Sequence, residues 1–364
     1  MDKRQLKHIA LTSAVWTNAA IAVAYLLSAF IGYADPRSCG YLSLLGLAYP
    51  LFLVAVLAFA VLWAFAGWRR LWISGAALVL TIPQLAAFCP VNFGSPVTDG
   101  RGFRLMTYNC FGMPAGDGVT ETAADEILRQ DADFVCLQET PNVAGMKAHF
   151  NSAVWDAVTR RYSYIDAGDT TSLGYMSKHD VKTLEVHDNG QYFCYAVYET
   201  TLGGLPTYII NAHLESIGLT KSDKRLYMGL TSPRSRHSIR GVRSRLMSKL
   251  RHAFERRAAQ AEELRAKADS LQAAHPEAVV MICGDFNDTP YSYAYLTARG
   301  NFSDAYADGG LGPVVTYNRN RFYFHIDQIL YLDSRVEAVA CSRGESPASD
   351  HYALVADFAV KKMN

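Results

Sequence analysis

The chain has 364 residues, with 35 Lys and Arg against 34 Asp and Glu and a net charge of +1. Mean hydropathy is near zero only because a hydrophobic first quarter is averaged with a more polar remainder. Residues 1–93 hold six of the basic and two of the acidic residues, which leaves 29 basic and 32 acidic beyond them and gives no support for broad attraction to nucleic acid.

Residues 9–34, 38–68 and 71–98 carry no charge and are dominated by Leu, Ala, Val, Ile, Phe and Trp. A bilayer core needs about 20 apolar residues per helix, so these stretches predict three membrane spans in a membrane domain at 1–93. A cleaved signal peptide would explain only the first. Lys3, Arg4 and Lys7 precede the first span, and Arg69 and Arg70 separate the second from the third. With basic segments kept in the cytoplasm, an odd number of spans puts everything after about residue 93 outside it. The expectation is a multi-pass protein of the cell (inner) membrane whose larger domain faces the periplasm or cell exterior.

Asn, Gly, Ser, Pro and Asp then mark a linker at 94–102, and residues 103–364 suit one large domain. Strands are predicted from residue 104 and at 134–139, 174–176, 192–199, 208–212, 279–283, 324–331 and 352–358. Thr120 is expected to cap a helix running to Gln130, with Ala123, Ala124, Ile127 and Leu128 on its inner face. A long helix is expected at 244–274. Strands in both halves with helices between them argue for a layered α/β fold, and no internal repeat is visible. The seven cysteines include no Cys-x-x-Cys spacing, which argues against zinc and for buried free thiols.

Residues 283–291 read Cys-Gly-Asp-Phe-Asn-Asp-Thr-Pro-Tyr after the apolar run Val279, Val280, Met281 and Ile282. Such a turn displays Asp285 and Asn287 at the end of a buried strand. There, two oxygen-bearing groups spaced two apart grip a hard cation, or a water and a phosphate oxygen. Five other apolar runs are bordered by polar groups. They end at Asn109, at Glu139 and in the Asn211-Ala212-His213 segment, begin around His325-Ile326-Asp327, and follow Ser349-Asp350-His351. This ordered set resembles the endonuclease/exonuclease/phosphatase superfamily, which includes deoxyribonuclease I, apurinic-site endonucleases, neutral sphingomyelinases and inositol-polyphosphate phosphatases. The resemblance spans residues 101–358.

The resemblance implies two mixed β-sheets packed face to face and flanked by helices, a four-layer sandwich, here preceded by the three transmembrane helices. It implies a metal-dependent hydrolase of phosphate esters using Mg²⁺ or Mn²⁺. Glu139 falls at the family's metal-binding glutamate, Asn109 beside it, and Asp350 at the metal site. Several relatives carry an acid two positions after that asparagine, where this chain has Phe111. His213 matches the His that binds or protonates the phosphoryl group, and Asp285 and Asn287 match the pair that positions water and phosphate. Asp327 would orient His351, and either Asp285 or His351 would be the general base.

Residues 221–267 hold 14 Lys and Arg against four Asp and Glu. They form either a solvated face or a cationic surface for an anionic substrate or lipid headgroups. Arg234, Arg236 and Arg240 of this segment, with Asn211, are the candidate substrate contacts. The expected substrate is a nucleic acid or a lipid or sugar phosphate, the other expected partner is the bilayer, and no obligate protein partner is inferred. A non-catalytic binding module on the same fold is the alternative. A transporter is disfavoured, because the spans contain no Lys, Arg, Asp or Glu.

Overall fold

The computed structural model describes residues 2–93, 102–114, 121–168, 171–190, 193–218, 239–319 and 322–361, with side chains of the long helix described from residue 244 onward. Residues 94–101 of the predicted linker and the basic stretch 221–238 therefore lie outside the described residues, and Gly102, placed in the linker by the sequence reading, opens a strand.

Two six-stranded mixed sheets make the larger domain. The first holds β1 (Gly102–Asn109), β2 (Phe134–Gln138), β3 (Tyr164–Ala167), β4 (Gly174–Ser177), β13 (Val336–Arg343) and β14 (Leu354–Val360), in the order β13-β14-β1-β2-β4-β3. The second holds β5 (Val181–Asp188), β6 (Cys194–Leu202), β7 (Leu205–His213), β8 (Val279–Asp285), β9 (Ser303–Asp304) and β12 (Asp327–Tyr331), in the order β5-β6-β7-β8-β12-β9. A hairpin of β10 (Tyr317–Arg319) and β11 (Phe322–Phe324) stands apart.

In each sheet the central pair is parallel, β1 with β2 and β7 with β8, and the other pairs are antiparallel. A parallel pair needs a crossover, and the helices Ala123–Gln130 and Ile239–Ala274 supply the two. Alternation then divides each central strand between two cores. Leu105, Phe134, Met281, Cys283, Leu354 and Phe358 meet between the sheets. Met106, Tyr108, Val135 and Leu137 face the outer helices of the first sheet, and Ile210, Ala212, Val280 and Ile282 pack with Ala261, Leu264 and Ala268 of the long helix. Burial on both faces is why these strands read as unbroken apolar runs.

The sequence reading needs correction at several elements. The helix Ala123–Gln130 is capped by Thr122, whose side chain accepts from the Asp125 N–H while the Asp125 carboxylate accepts from the Thr122 N–H; Thr120 lies outside the described residues. The expected strand 324–331 is two strands, β11 and β12, in different sheets, separated at His325 and Ile326. The sequence reading missed β3, β5, β9, β10 and β13 and the helices Val143–His149, Ser152–Arg161, Tyr293–Arg299 and Ala305–Gly309. β5 lies at a sheet edge and its residues are mostly exposed, so it has no apolar run to read.

In the N-terminal part, Lys3–Tyr33 and Pro36–Ala66 are helical stretches long and apolar enough to cross a membrane. The third apolar stretch is broken: Trp68–Leu80 and Ile82–Phe88 meet at 67° and make a third candidate only if the bent pair counts as one span. Pro83 at the start of the second piece lacks an N–H and cannot continue the preceding helix. The turn between the first two helices packs on the larger domain. The Tyr49 and Tyr291 rings lie 4.7 Å apart, Arg37 pairs with Glu262, and a Cβ on Gly32 would stand 2.1 Å from the Tyr291 carbonyl.

Candidate active site

Strand register gathers the motif residues at one edge of the sandwich. His213 ends β7 opposite Asp285, which ends β8, and Asp327 opens β12 opposite the same Asp285. In the facing sheet Asn109 ends β1, and Glu139 follows β2. Glu139 and Asn287 both adopt the left-handed backbone conformation, with φ of 47° and 51°, which turns each out of its strand. Such positions are sparsely populated by residues other than glycine and cluster at functional sites. Gly284 is required by contact as well as by its φ of 140°, since a Cβ there would meet the Ala212 carbonyl oxygen at 1.8 Å.

The Asn109 amide joins the two sheets. Its Nδ2 donates to Glu139 Oε1 at 3.1 Å and to Asp285 Oδ2 at 3.0 Å, while its oxygen accepts the Phe111 N–H at 3.1 Å. The Asn287 N–H donates to Asp285 Oδ1 at 2.7 Å, and the Asn287 amide donates to the Leu214 carbonyl. Asp285 is thus held at both oxygens, and burial raises its pKa above the usual carboxylate range against the opposing influence of His351.

His213 Nε2 lies 3.7 Å from Glu139 Oε1 and 3.7 Å from Asp285 Oδ2, and it is buried without a hydrogen-bond partner. His351 Nδ1 lies 3.0 Å from Asp327 Oδ2 and its Nε2 lies 3.6 Å from Asp285 Oδ2. Burial pushes this ring down, but Asp327 and then Asp285 override it and raise its pKa to about 10. Both ring nitrogens therefore face carboxylates, the arrangement that keeps an imidazolium.

Among the described residues, two groups could hold a metal ion: Glu139, His213 and Asp285, and Asp285, Asp327 and His351. The first fits a hard divalent cation through its two carboxylates and contains no thiolate, with the buried His213 ring nitrogen beside them. Asp350 joins neither group. It accepts from Arg319 Nη1 at 3.0 Å, and the same guanidinium lies 4.3 Å from the Phe111 ring centroid. The position that several relatives give to an acid is here a platform for a cation.

Asn211 does not reach the site. It is fully buried, its amide donates to the Leu137 and Gly174 carbonyls, and its oxygen accepts from Gln138, so its polar groups serve the contact between sheets. Arg234 and Arg236 lie outside the described residues, as does the Arg240 side chain. In the described part of the basic segment, Arg251, Arg256, Arg257, Arg265 and Lys267 pair with Glu255, Glu215, Asp288, Asp269 and Glu185.

Sequence reasoning missed Tyr317 and Arg319, and it read Arg257, beside a pair of alanines on the long helix, as packing against the sheet. Arg257, 1% exposed, donates to Asp288 at 3.0 Å and to the Glu215 carbonyl, and so fixes the loop that carries Asn287. An arginine on an alanine-rich inner helix face, with a second Asp in the Gly-Asp-x-Asn-Asp turn, was the available signal. Tyr317 stands edge-on to His351 with centroids 5.0 Å apart, and Arg319 meets Asp350; nothing in their local sequence marked either.

The profile of the endonuclease/exonuclease/phosphatase family matches residues 106–351. A second profile, described as a domain of unknown function, matches residues 10–88. No curated protein matches the chain. Among solved structures, truncated Caenorhabditis elegans TDP2 is 20% identical with a TM-score of 0.47, covering 71% of this chain and 98% of that one. The human Nocturnin catalytic domain is 17% identical with a TM-score of 0.43, covering 73% and 97%. A family protein from Bacteroides thetaiotaomicron is 16% identical with a TM-score of 0.44, covering 73% and 96%.

Proposed function

The chain belongs to the endonuclease/exonuclease/phosphatase family, an enzyme family of phosphoester hydrolases, and from that premise we propose that it is a membrane-anchored, divalent-metal-dependent phosphoesterase. One observation carries the reading: the unpartnered His213 Nε2 is held between the Glu139 and Asp285 carboxylates at a strand edge that also presents the Asp327–His351 pair. Glu139, with Asn109 beside it, would hold Mg²⁺ or Mn²⁺, and the ion would neutralise charge on the non-bridging phosphate oxygens when bound.

In this reading Asp285 is the general base. It is fixed through Asn109 and Asn287 and its proton affinity is raised by burial, which suits it to orient and deprotonate a water. His351 serves as a charged donor to the phosphoryl group, and Asp327 keeps it protonated and aimed. His213 supplies a second donor. The substrate class is a nucleic acid or a lipid or sugar phosphate.

The N-terminal part is read as a membrane domain over 1–93 with three helices, joined through 94–102 to a catalytic domain at 103–364. Support comes from the packing of the larger domain on the turn between the first two apolar helices, the end remote from Lys3, Arg4 and Lys7. An inner-membrane protein with its catalytic domain outside the cytoplasm follows. An alkaline phosphatase fusion at Asn364 should be active, and activity only from a cytoplasmic reporter would refute the topology. For the chemistry, the full chain should hydrolyse bis(p-nitrophenyl) phosphate or a phosphate monoester with Mg²⁺ or Mn²⁺, and His213→Ala should lose most of that turnover. No hydrolysis of any phosphate ester with either metal would refute the reading.

A further inference from the structure

The catalytic residues line a cavity of about 280 Å³ whose wall combines polar and apolar groups. Its polar lining includes Glu139, Asp285, Asn287, Asp350 and His351, with the Arg257–Asp288 pair beside Phe254. Its apolar lining includes Leu47, Leu246, Leu250, Phe254, Phe322 and Phe324. Leu47 does not belong to the catalytic domain. It lies in the 3-10 segment Gly40–Ala48, and the apolar helix Tyr49–Ala66 begins two residues later. The long helix that supplies Leu246, Leu250 and Phe254 rests on the same N-terminal turn, with the Arg251 guanidinium 5.3 Å from the Tyr41 ring centroid and Arg37 paired with Glu262.

We propose that this cavity takes a lipid phosphoester, with its phosphate at Asp285 and His351 and its hydrocarbon chain laid between Leu47 and the Leu246–Leu250–Phe254 face of the long helix. The inference rests on the two readings above, of a phosphoester site and of apolar helices in a bilayer, and it narrows the substrate. A chain entering from a bilayer meets Leu47 at the head of the apolar helix Tyr49–Ala66, so the apolar wall continues from membrane to phosphate. A polynucleotide gains nothing from such a wall, because it presents further phosphates and sugars where the cavity offers leucine and phenylalanine. Proteins that bind single strands pair stacking aromatic side chains with a positively charged groove that tracks the backbone. The described basic residues of the long helix are instead largely paired with acids of their own domain.

The test uses the full chain in amphipol with Mg²⁺ and needs no turnover. Dissociation constants are measured for methylphosphonate, octylphosphonate, dodecylphosphonate and a single-stranded oligonucleotide. Burying a methylene in an apolar site is worth about fourfold in affinity, so a partly open groove should favour octyl over methyl by at least about 100-fold. Leu246→Asn with Leu250→Asn should cut that ratio at least tenfold. A ratio within about threefold in the wild type, an undiminished ratio in the double variant, or tighter binding of the oligonucleotide than of dodecylphosphonate would each overturn the proposal. Should the double variant fail to fold, the wild-type ratio decides alone. Chain-length-dependent binding without hydrolysis of any ester would uphold the groove while refuting the catalytic reading.

Discussion

Replacing Asp327 with Asn removes one buried charge and almost no volume. Asp327 is fully buried and His351 is 4% exposed, with Oδ2 and Nδ1 3.0 Å apart. Burial acts to lower the pKa of the ring, and the carboxylates, Asp327 ahead of Asp285, instead hold it at about 10. Moving from the ordinary 6.5 to about 10 corresponds to about 5 kcal/mol in favour of the imidazolium. Loss of Asp327 removes the largest of the charges that keep the ring protonated and the bond that aims it, and kcat should fall by at least about 10-fold. KM should stay within about threefold, because Asp327 is not among the residues that line the cavity. The pH profile supplies a second signature. In the wild type the ring stays charged through neutrality, whereas in the variant a limb falling with rising pH should enter the neutral range. The sign is the same for stability. The raised pKa stabilises the native state fully below pH 6.5, and that contribution is lost as pH rises through about 10, so the alkaline limit should retreat in Asp327→Asn. The assay is kcat and KM on a chromogenic phosphodiester from pH 6 to 9, at matched folded fraction by circular dichroism. Equal turnover and an unchanged profile at equal folded fraction would remove the pair from the mechanism.

EDTA should abolish hydrolysis, Mg²⁺ or Mn²⁺ should restore it, and Glu139→Ala should lower kcat by at least about 100-fold with an unchanged circular dichroism spectrum; full activity in EDTA would refute metal dependence. His325 is buried against the Tyr306 ring and pushed down to about 4 by that burial, so the unfolded chain takes up its proton first as pH falls from 6.5. Stability should therefore drop by about 3 kcal/mol between pH 6.5 and 4, and His325→Phe should flatten that limb in denaturant titrations, a limb of equal slope counting against it. Breaking the buried Arg257–Asp288 pair with Asp288→Asn should destabilise the domain by about 3 kcal/mol, while Arg257→Met with Asp288→Leu should recover part of the loss. A double variant no more stable than Asp288→Asn would show that the loss does not come from a stranded charge.

The sequence determined the parts that depend on local pattern. The uncharged stretches marked the apolar helices, and the runs before Asn109, Glu139, His213 and Asp285 marked strands buried on both faces, because two-sided burial leaves no polar alternation. The Gly-Asp-x-Asn turn was legible because a short chemical motif carries its own geometry. The relations between distant segments were not legible. Asn109 Nδ2 bridges Glu139 and Asp285 only because two sheets close face to face, and Asn211, a candidate by its place in a motif, is consumed by bonds to Leu137 and Gly174 across that contact. Edge strands such as β5 left no run to read, since one face and one side meet solvent. The break at Pro83 was written in the residue, but its 67° bend depends on how the two helices pack. Leu47 reaches the wall of the catalytic cavity because the turn that carries it docks on the long helix and the Tyr291 loop, a contact between segments more than two hundred residues apart that no periodicity encodes.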